Sequence, residues 1–266
     1  CIARMVFSDP HSCLQQLEEE VHSHTPAVRA KVLGVARTVV TLDREHALDA
    51  MLAPQLWRIL QLLGDEELEV RRGAVMALHA VVYNRPELVQ EQLGALLPKL
   101  YQTTVVREDL KRKVAMGPFT VITDDGLDLR KNAFETLFTL LETCFAEMQV
   151  TDVLRCAVQA LQDDDSVKLL ACLMIMRIAD LAPEQVSPFL DEISAPLRTV
   201  LTRKIRDNAT KQEVEKANEL THAAVRVLAH LSAACEVSMY PDFCELIAQT
   251  QQSPHAPLLA KLTAAP

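Results

Sequence analysis

A single pattern recurs along this chain: a polar or acidic turn, an apolar residue followed by a basic one, then a helix with regularly spaced apolar residues. It reads TPAVRAKVLGVARTVV at 25–40, DEELEVRRGAVMALHAVV at 65–82, DDGLDLRKNAFETLFTLL at 124–141 and DDDSVKLLACLMIMRIAD at 163–180. A weaker copy, KQEVEKANELTHAAVRVLAHL, occupies 211–231. Val70, Ala74, Ala77, Leu78 and Val81 fall on one helical stripe, as do Leu129, Ala133, Leu137 and Leu140, so each helix has one face to bury. A second helix precedes the turns and carries proline: Pro54 in APQLWRILQLLG, Pro98 in LPKLYQ and Pro196 in APLRTVL. Proline starts or kinks a helix there, having no amide to give to the internal ladder. Each unit is thus two helices and a turn, and such units bury their faces by stacking into a solenoid.

The period selects the repeat type. Val28 to Val70 spans 42 positions, Leu129 to Val167 spans 38 and Val167 to Val214 spans 47. These lie near the roughly 40–47 of HEAT and armadillo units and above the 33 or 34 of ankyrin or TPR units. The expected fold is all-α: one HEAT-type solenoid over 1–266, of about five to six helix pairs. Composition agrees, with 4% aromatic residues and six glycines, too few for a β-sandwich or barrel of this length. The acidic or Thr residue before each helix is expected to cap it, as at Asp124-Asp125 and Asp163-Asp164-Asp165.

One step breaks the count. Val70 to Leu129 is 59 positions, and Pro98 to Leu129 is 31 where Pro54 to Val70 is 16. Some 15 to 19 residues have been added, and we place the insertion at 107–123. Within it, Val114-Ala115-Met116 and Phe119-Thr120-Val121-Ile122-Thr123 can pair across Gly117-Pro118 as a β-hairpin, an irregular apolar loop being the other reading. A lone hairpin is marginal in water. It either folds back to cap the solenoid core or projects towards a partner, and insertions in solenoids tend to gather on a binding face.

LYQTTVVREDLKRKVAMGPF at 100–119 and DDGLDLRKNAFETLFTLLETC at 124–144 resemble the C-terminal part of the cullin-associated, neddylation-dissociated proteins, the TATA-binding-protein-interacting family. DEELEVRRGAVMALHAVVYNRPEL, PLRTVL and the 211–231 stretch extend the resemblance over most of residues 1–250, more loosely after Met148. The resemblance implies a binding scaffold without enzymatic activity or cofactor. It would associate with the N-terminal region of an unmodified cullin carrying its RING subunit, in cytoplasm and nucleus. It would compete there with adaptor and substrate-receptor modules during ubiquitin ligase assembly. The partner-binding residues so implied are Val114, Met116, Gly117, Pro118, Phe119, Thr120, Val121 and Ile122, with Met116 and Phe119 as apolar anchors. Where the family usually has Lys-His-Thr-Val after Gly-Pro-Phe, this chain has Thr120-Val121-Ile122-Thr123. Two polar or ionisable groups thus give way to Thr and an apolar residue, which removes the groups for the family's polar contacts on that strand and favours extended backbone. A karyopherin-like transport adaptor, which shares HEAT architecture, is the alternative.

Other chemistry is weakly signalled. The net charge is −9 and no basic stripe is present, against nucleic-acid binding. No apolar run approaches the roughly 20 residues of a membrane span. Seven cysteines without a CxxC pair point to reduced thiols inside the cell, with Cys144, Cys156 and Cys172 as buried, inert groups. His22 and His24 lack a ligand set, Met174 and Met176 read as core filling, and His79 as a partly buried flank residue. No nucleophile elbow, Walker loop, zincin or Rossmann fingerprint appears, so no small-molecule substrate is expected. The chain begins with Cys1, which fits a C-terminal fragment of a longer superhelix.

Overall fold

The computed structural model describes residues 2–117 and 119–264, with the side chains of Met116 and Phe119 outside the description. The chain divides into two compact units, Cys1–Met148 and Gln149–Pro266.

In the first unit, α1 (Ile2–Ser8), α2 (Pro10–Glu20), α3 (Pro26–Leu42), α4 (Asp49–Leu60), α5 (Leu68–Asn84), α6 (Leu93–Thr103) and α7 (Leu127–Thr143) follow in order, with β1 (Lys111–Met116) and β2 (Phe119–Asp124) between α6 and α7. Helices α2–α3, α4–α5 and α6–α7 pack in successive pairs, α3, α5 and α7 stack on one another, and α2 packs on α4. The second unit contains α8 (Val150–Ala160), α9 (Asp165–Leu181), the short α10 (Pro183–Val186), α11 (Leu190–Leu201), α12 (Lys211–Ala234), α13 (Pro241–Gln251) and α14 (Ala256–Thr263). Its pairs are α8–α9, α11–α12 and α13–α14, with α12 between α9 and α14 and with α11 on α13. The fold is all-α, built of HEAT-type repeats with one inserted β-hairpin.

The stripes read from the sequence are the core: Val70, Ala74, Leu78 and Val81 of α5 and Ala133, Leu137 and Leu140 of α7 are fully buried. Pro54, Pro98 and Pro196 sit inside α4, α6 and α11. The carbonyls they leave without an amide four residues on belong to Ala50, Gly94 and Glu192, all exposed residues that water can reach.

Capping follows the expectation at only some turns. Asp164 accepts the Ser166 amide at 2.9 Å, and Thr210 and Glu213 form a full capping box at the start of α12. Helix α5 instead starts from Glu67 and α7 from Gly126, neither with a side-chain cap. Asp65 and Asp124 are engaged by arginines, and the amides their carboxylates accept are those of Glu67 and Gly126, the residues just before the first turn.

The basic residues of the first four copies meet these acidic turns, Arg29 reaching that of the following repeat and the others their own. Arg29 grips Asp65 through two hydrogen bonds of 2.7 and 2.9 Å, and Arg130 holds Asp124 at 2.8 and 3.2 Å. Arg71 donates to the carbonyls of Asp65 and Glu66, and Lys168 pairs with Asp165 at 3.0 Å. Arg203 also reaches Asp165, and these two cations hold its carboxyl below the usual range although burial pushes it up.

Two expectations need correction. Cys144 and Cys172 are buried, the latter thiol pushed up to about 12 by burial, but Cys156 within α8 is only half-buried. Met174 is core, whereas Met176 lines an open groove between α9 and α12. The second follows from helix rotation, which the near-continuous apolar run of α9 leaves undefined.

Candidate functional site

The insertion forms the expected hairpin, and it is longer at its base than the apolar pattern suggests. The strands pair antiparallel from Lys111 opposite Asp124 to Met116 opposite Phe119. Gly117, the first of the two loop positions, has φ +62°, where a type II′ hairpin takes glycine. Pro118 lies outside the described residues.

Side chains alternate between the two faces of a strand. Arg112–Thr123 and Val114–Val121 therefore share one face, and Lys113–Ile122 and Ala115–Thr120 share the other. Val121 is 44% exposed and Ile122 is 65% exposed, so apolar surface reaches solvent on both faces. Ala115, Gly117 and Thr120 are exposed as well, while Val114 is half-buried. The anchor side chains expected at Met116 and Phe119 lie outside the description; their backbones form the pair next to the turn.

The base of the hairpin is fastened by groups that the apolar pattern did not reveal. Asp124, the last residue of β2, accepts from the buried guanidinium of Arg130 in α7 and from the Gly126 amide at 3.0 Å. The Arg130 bond first, then its charge, holds the Asp124 carboxyl below the usual carboxylate range against the effect of burial. Asp125 donates its amide to the Leu110 carbonyl at 3.1 Å and accepts two bonds from Arg112, at 2.7 and 3.2 Å. Arg72 of α5 reaches the Asp125 carbonyl at 3.3 Å, and Lys111 pairs with Glu108 at 2.8 Å. An exposed ribbon on a clamped root is the resulting geometry. The one sequence signal for this clamp is the repeated apolar-basic step, Leu129-Arg130, at the start of α7.

A second exposed feature lies on α5, where Met76 and Tyr83 face solvent and the ring of His79 stacks on Tyr83 at 6.3 Å. His79 is half-buried as expected, and burial lowers its pKa. For metals, His46, Asp49 and Glu87 bring one ligand atom each within 4.8 Å of one another. Asp49 is already committed to the buried guanidinium of Arg85, which also holds Asp43, so the cluster is an ion-pair network with its cation in place. Exposed His22 and His24 take no part in it.

Comparison with known proteins gives a consistent picture. The profile of the family described as TATA-binding protein interacting (TIP20) matches residues 88–253. Cullin-associated NEDD8-dissociated protein 2 of Mus musculus is 34% identical over 254 residues, covering 96% of this chain and 20% of the mouse protein. Cullin-associated NEDD8-dissociated protein 1 of Drosophila melanogaster is also 34% identical, again over 96% of the chain and 20% of its own length. A relative in Emericella nidulans, 30% identical over 88% of this chain and 22% of its own length, is named as a C-terminal part. The chain therefore spans about a fifth of the curated relatives it matches. Among solved structures, a designed armadillo repeat protein superposes with a TM-score of 0.58 at 20% identity, covering 95% of this chain and 93% of that one. A chain of the Kap95p–RanGDP structure gives 0.66 at 14% identity, over 95% of this chain and 30% of that one. At such identities these two likenesses carry the repeat fold alone.

Proposed function

Because the chain belongs to the TATA-binding-protein-interacting family of cullin-associated proteins, we propose that it is a non-enzymatic scaffold that binds a cullin. Its relatives carry cullin association in their names. The finer reading is that the hairpin occupies the cullin surface used by an adaptor, on a cullin lacking its ubiquitin-like modifier and carrying its RING subunit, in cytoplasm and nucleus. Binding and adaptor exchange then need no reacting group, only mutual exclusion at one surface.

The observation that supports this most is the exposed middle of β2. Exposed apolar residues on a water-facing strand need a reason, and Val121 and Ile122 offer surface on opposite faces of one small ribbon. The clamped root limits the ordering cost of binding, since Arg130 and Arg72 hold the ribbon's base on α7 and α5 in advance. The substitution of the family's Lys-His-Thr-Val by Thr120–Thr123 shifts this contact towards apolar burial.

The experiment is a binding titration of the V121D/I122D double variant against cullin–RING core. Both side chains are exposed, so folding is expected to be unaffected, while cullin affinity falls at least about tenfold, the scale of losing an apolar anchor. Equal affinity of variant and parent would overturn the reading. A transport-adaptor function finds support only in the repeat fold it shares, which is common to unrelated binding proteins.

A further inference from the structure

A cavity of about 170 Å³ lies beneath the hairpin root, between the end of α6, the turn before α5 and the start of α7. Its lining includes four cationic side chains, Arg71, Lys99, Arg107 and Arg130, and the carboxylate of Asp65. On an acidic chain this local balance is unusual, and the pairing inside it is uneven. Asp65 is taken by Arg29, Arg130 by Asp124 and Arg107 by Asp109. Arg71 and Lys99 give their hydrogen bonds to uncharged oxygens: the Asp65 and Glu66 carbonyls at 2.8 and 2.9 Å, and the Gln61 side chain at 2.6 Å.

The printed hydrogen bonds of Arg71 all go to neutral carbonyls, and the carboxylates of Asp65, Asp109 and Glu67 act on it through charge alone, so its donors leave a field that an anion in direct contact can relieve. Arg71 is 9% exposed, and burial followed by the charge of Arg107 disfavours its protonated form. The mouth opens beside Val105 and Arg107, both exposed. Arg107 is therefore placed to exchange Asp109 for an incoming ligand.

We propose that this cavity is a binding site for a phosphoryl group, held by Arg71 and Lys99 with Arg107 closing over it. A phosphoryl group carries about −1.5 to −2 charges at neutral pH, which matches the two cations better than a single carboxylate does. The guanidinium offers a fork and the ammonium a point charge, the usual combination for phosphate oxygens. Occupancy also bears on the hairpin: Arg107 precedes, and Asp109 lies within, the turn Glu108–Leu110 that leads into β1, and the Leu110 carbonyl receives the Asp125 amide. Ligand in the cavity stiffens the root from below. The assignment stands apart from the cullin reading, because it needs no protein partner.

The test is an NMR titration of the whole chain with inorganic phosphate at constant ionic strength, following the Arg71 side-chain N–H signals. Saturable shifts are expected, with slower amide exchange across 111–124 at saturation. R71Q and K99Q, followed through the amides of 111–124, should each weaken phosphate at least about tenfold, the scale of one charge-assisted hydrogen bond. R155Q, at an exposed position of α8, should leave it unchanged. K99Q guards against a folding defect in R71Q, since Lys99 is only half-buried. A neutral phosphoserine peptide separates the sources: tighter binding than inorganic phosphate assigns a protein-borne group, and equal binding a free ion. Non-saturable shifts, or K99Q binding phosphate as the parent does, would overturn the site.

Discussion

The turn between α4 and α5 and the turn between α6 and α7 occupy equivalent places in neighbouring repeats, one plain and one enlarged by an insertion. In the plain turn, Asp65 is gripped by Arg29 from the preceding repeat, and Arg71 folds back onto the turn carbonyls. In the enlarged turn, Asp124 is gripped by Arg130 of the very helix that follows it. Both turns retain an acidic residue met by an arginine. In one the pair ties repeat to repeat, and in the other it ties the insertion to its own repeat. A solenoid can thus accept a projecting element without loosening its stack, because the apolar stripes of α5 and α7 are untouched and only the polar closure is reassigned.

Breaking the reassigned pair should have the largest effect. R130M leaves Asp124 without its buried partner, and the expected loss is about 3 kcal/mol in chemical denaturation, the scale for disrupting a buried ion pair from one side. Amide protection across 111–124 should fall further than that of α7. If protection of the hairpin is unchanged in R130M, the root is held elsewhere.

The acid limb comes next. Asp124 titrates below its unfolded value, so its contribution is complete above about pH 4 and is lost as pH falls below that. Asp65 and Asp165 shift in the same direction. The parent should therefore lose stability steeply below about pH 4, and R130M should lose less over the same interval. Parallel curves for the two proteins would remove Asp124 from the account.

Smaller still is G117A. Nothing crowds a β-carbon there, so only the positive φ opposes it, at about 1 kcal/mol. The effect should be confined to hairpin exchange, with no change in the midpoint of global unfolding. The least effect on stability belongs to V121D/I122D, within about 0.5 kcal/mol, as for other exposed positions.

Much of this arrangement was legible in the sequence. Helices α3, α5, α7 and α9 coincide with the repeated stretches, and the excess between Pro98 and Leu129 placed the hairpin. The strand ends were not legible: Lys111, Arg112 and Lys113 carry no apolar alternation, and they are strand because Asp124, Thr123 and Ile122 lie opposite. Asp124 was expected to start a helix. It closes a strand instead, because the ion pair with Arg130 outweighs what a cap offers an already packed helix. The buried Arg85 network was invisible for a different reason, since its partners Asp43 and Asp49 lie 42 and 36 residues away in sequence. Long-range ion pairs leave no periodic trace.

The central claim is that the hairpin, and not the helical stack, displaces the adaptor. Deleting 113–123 tests it most directly, with displacement of adaptor from cullin–RING core measured against the parent chain. A folded deletion variant that has lost displacement is the predicted result. Undiminished displacement by a folded variant would contradict the account.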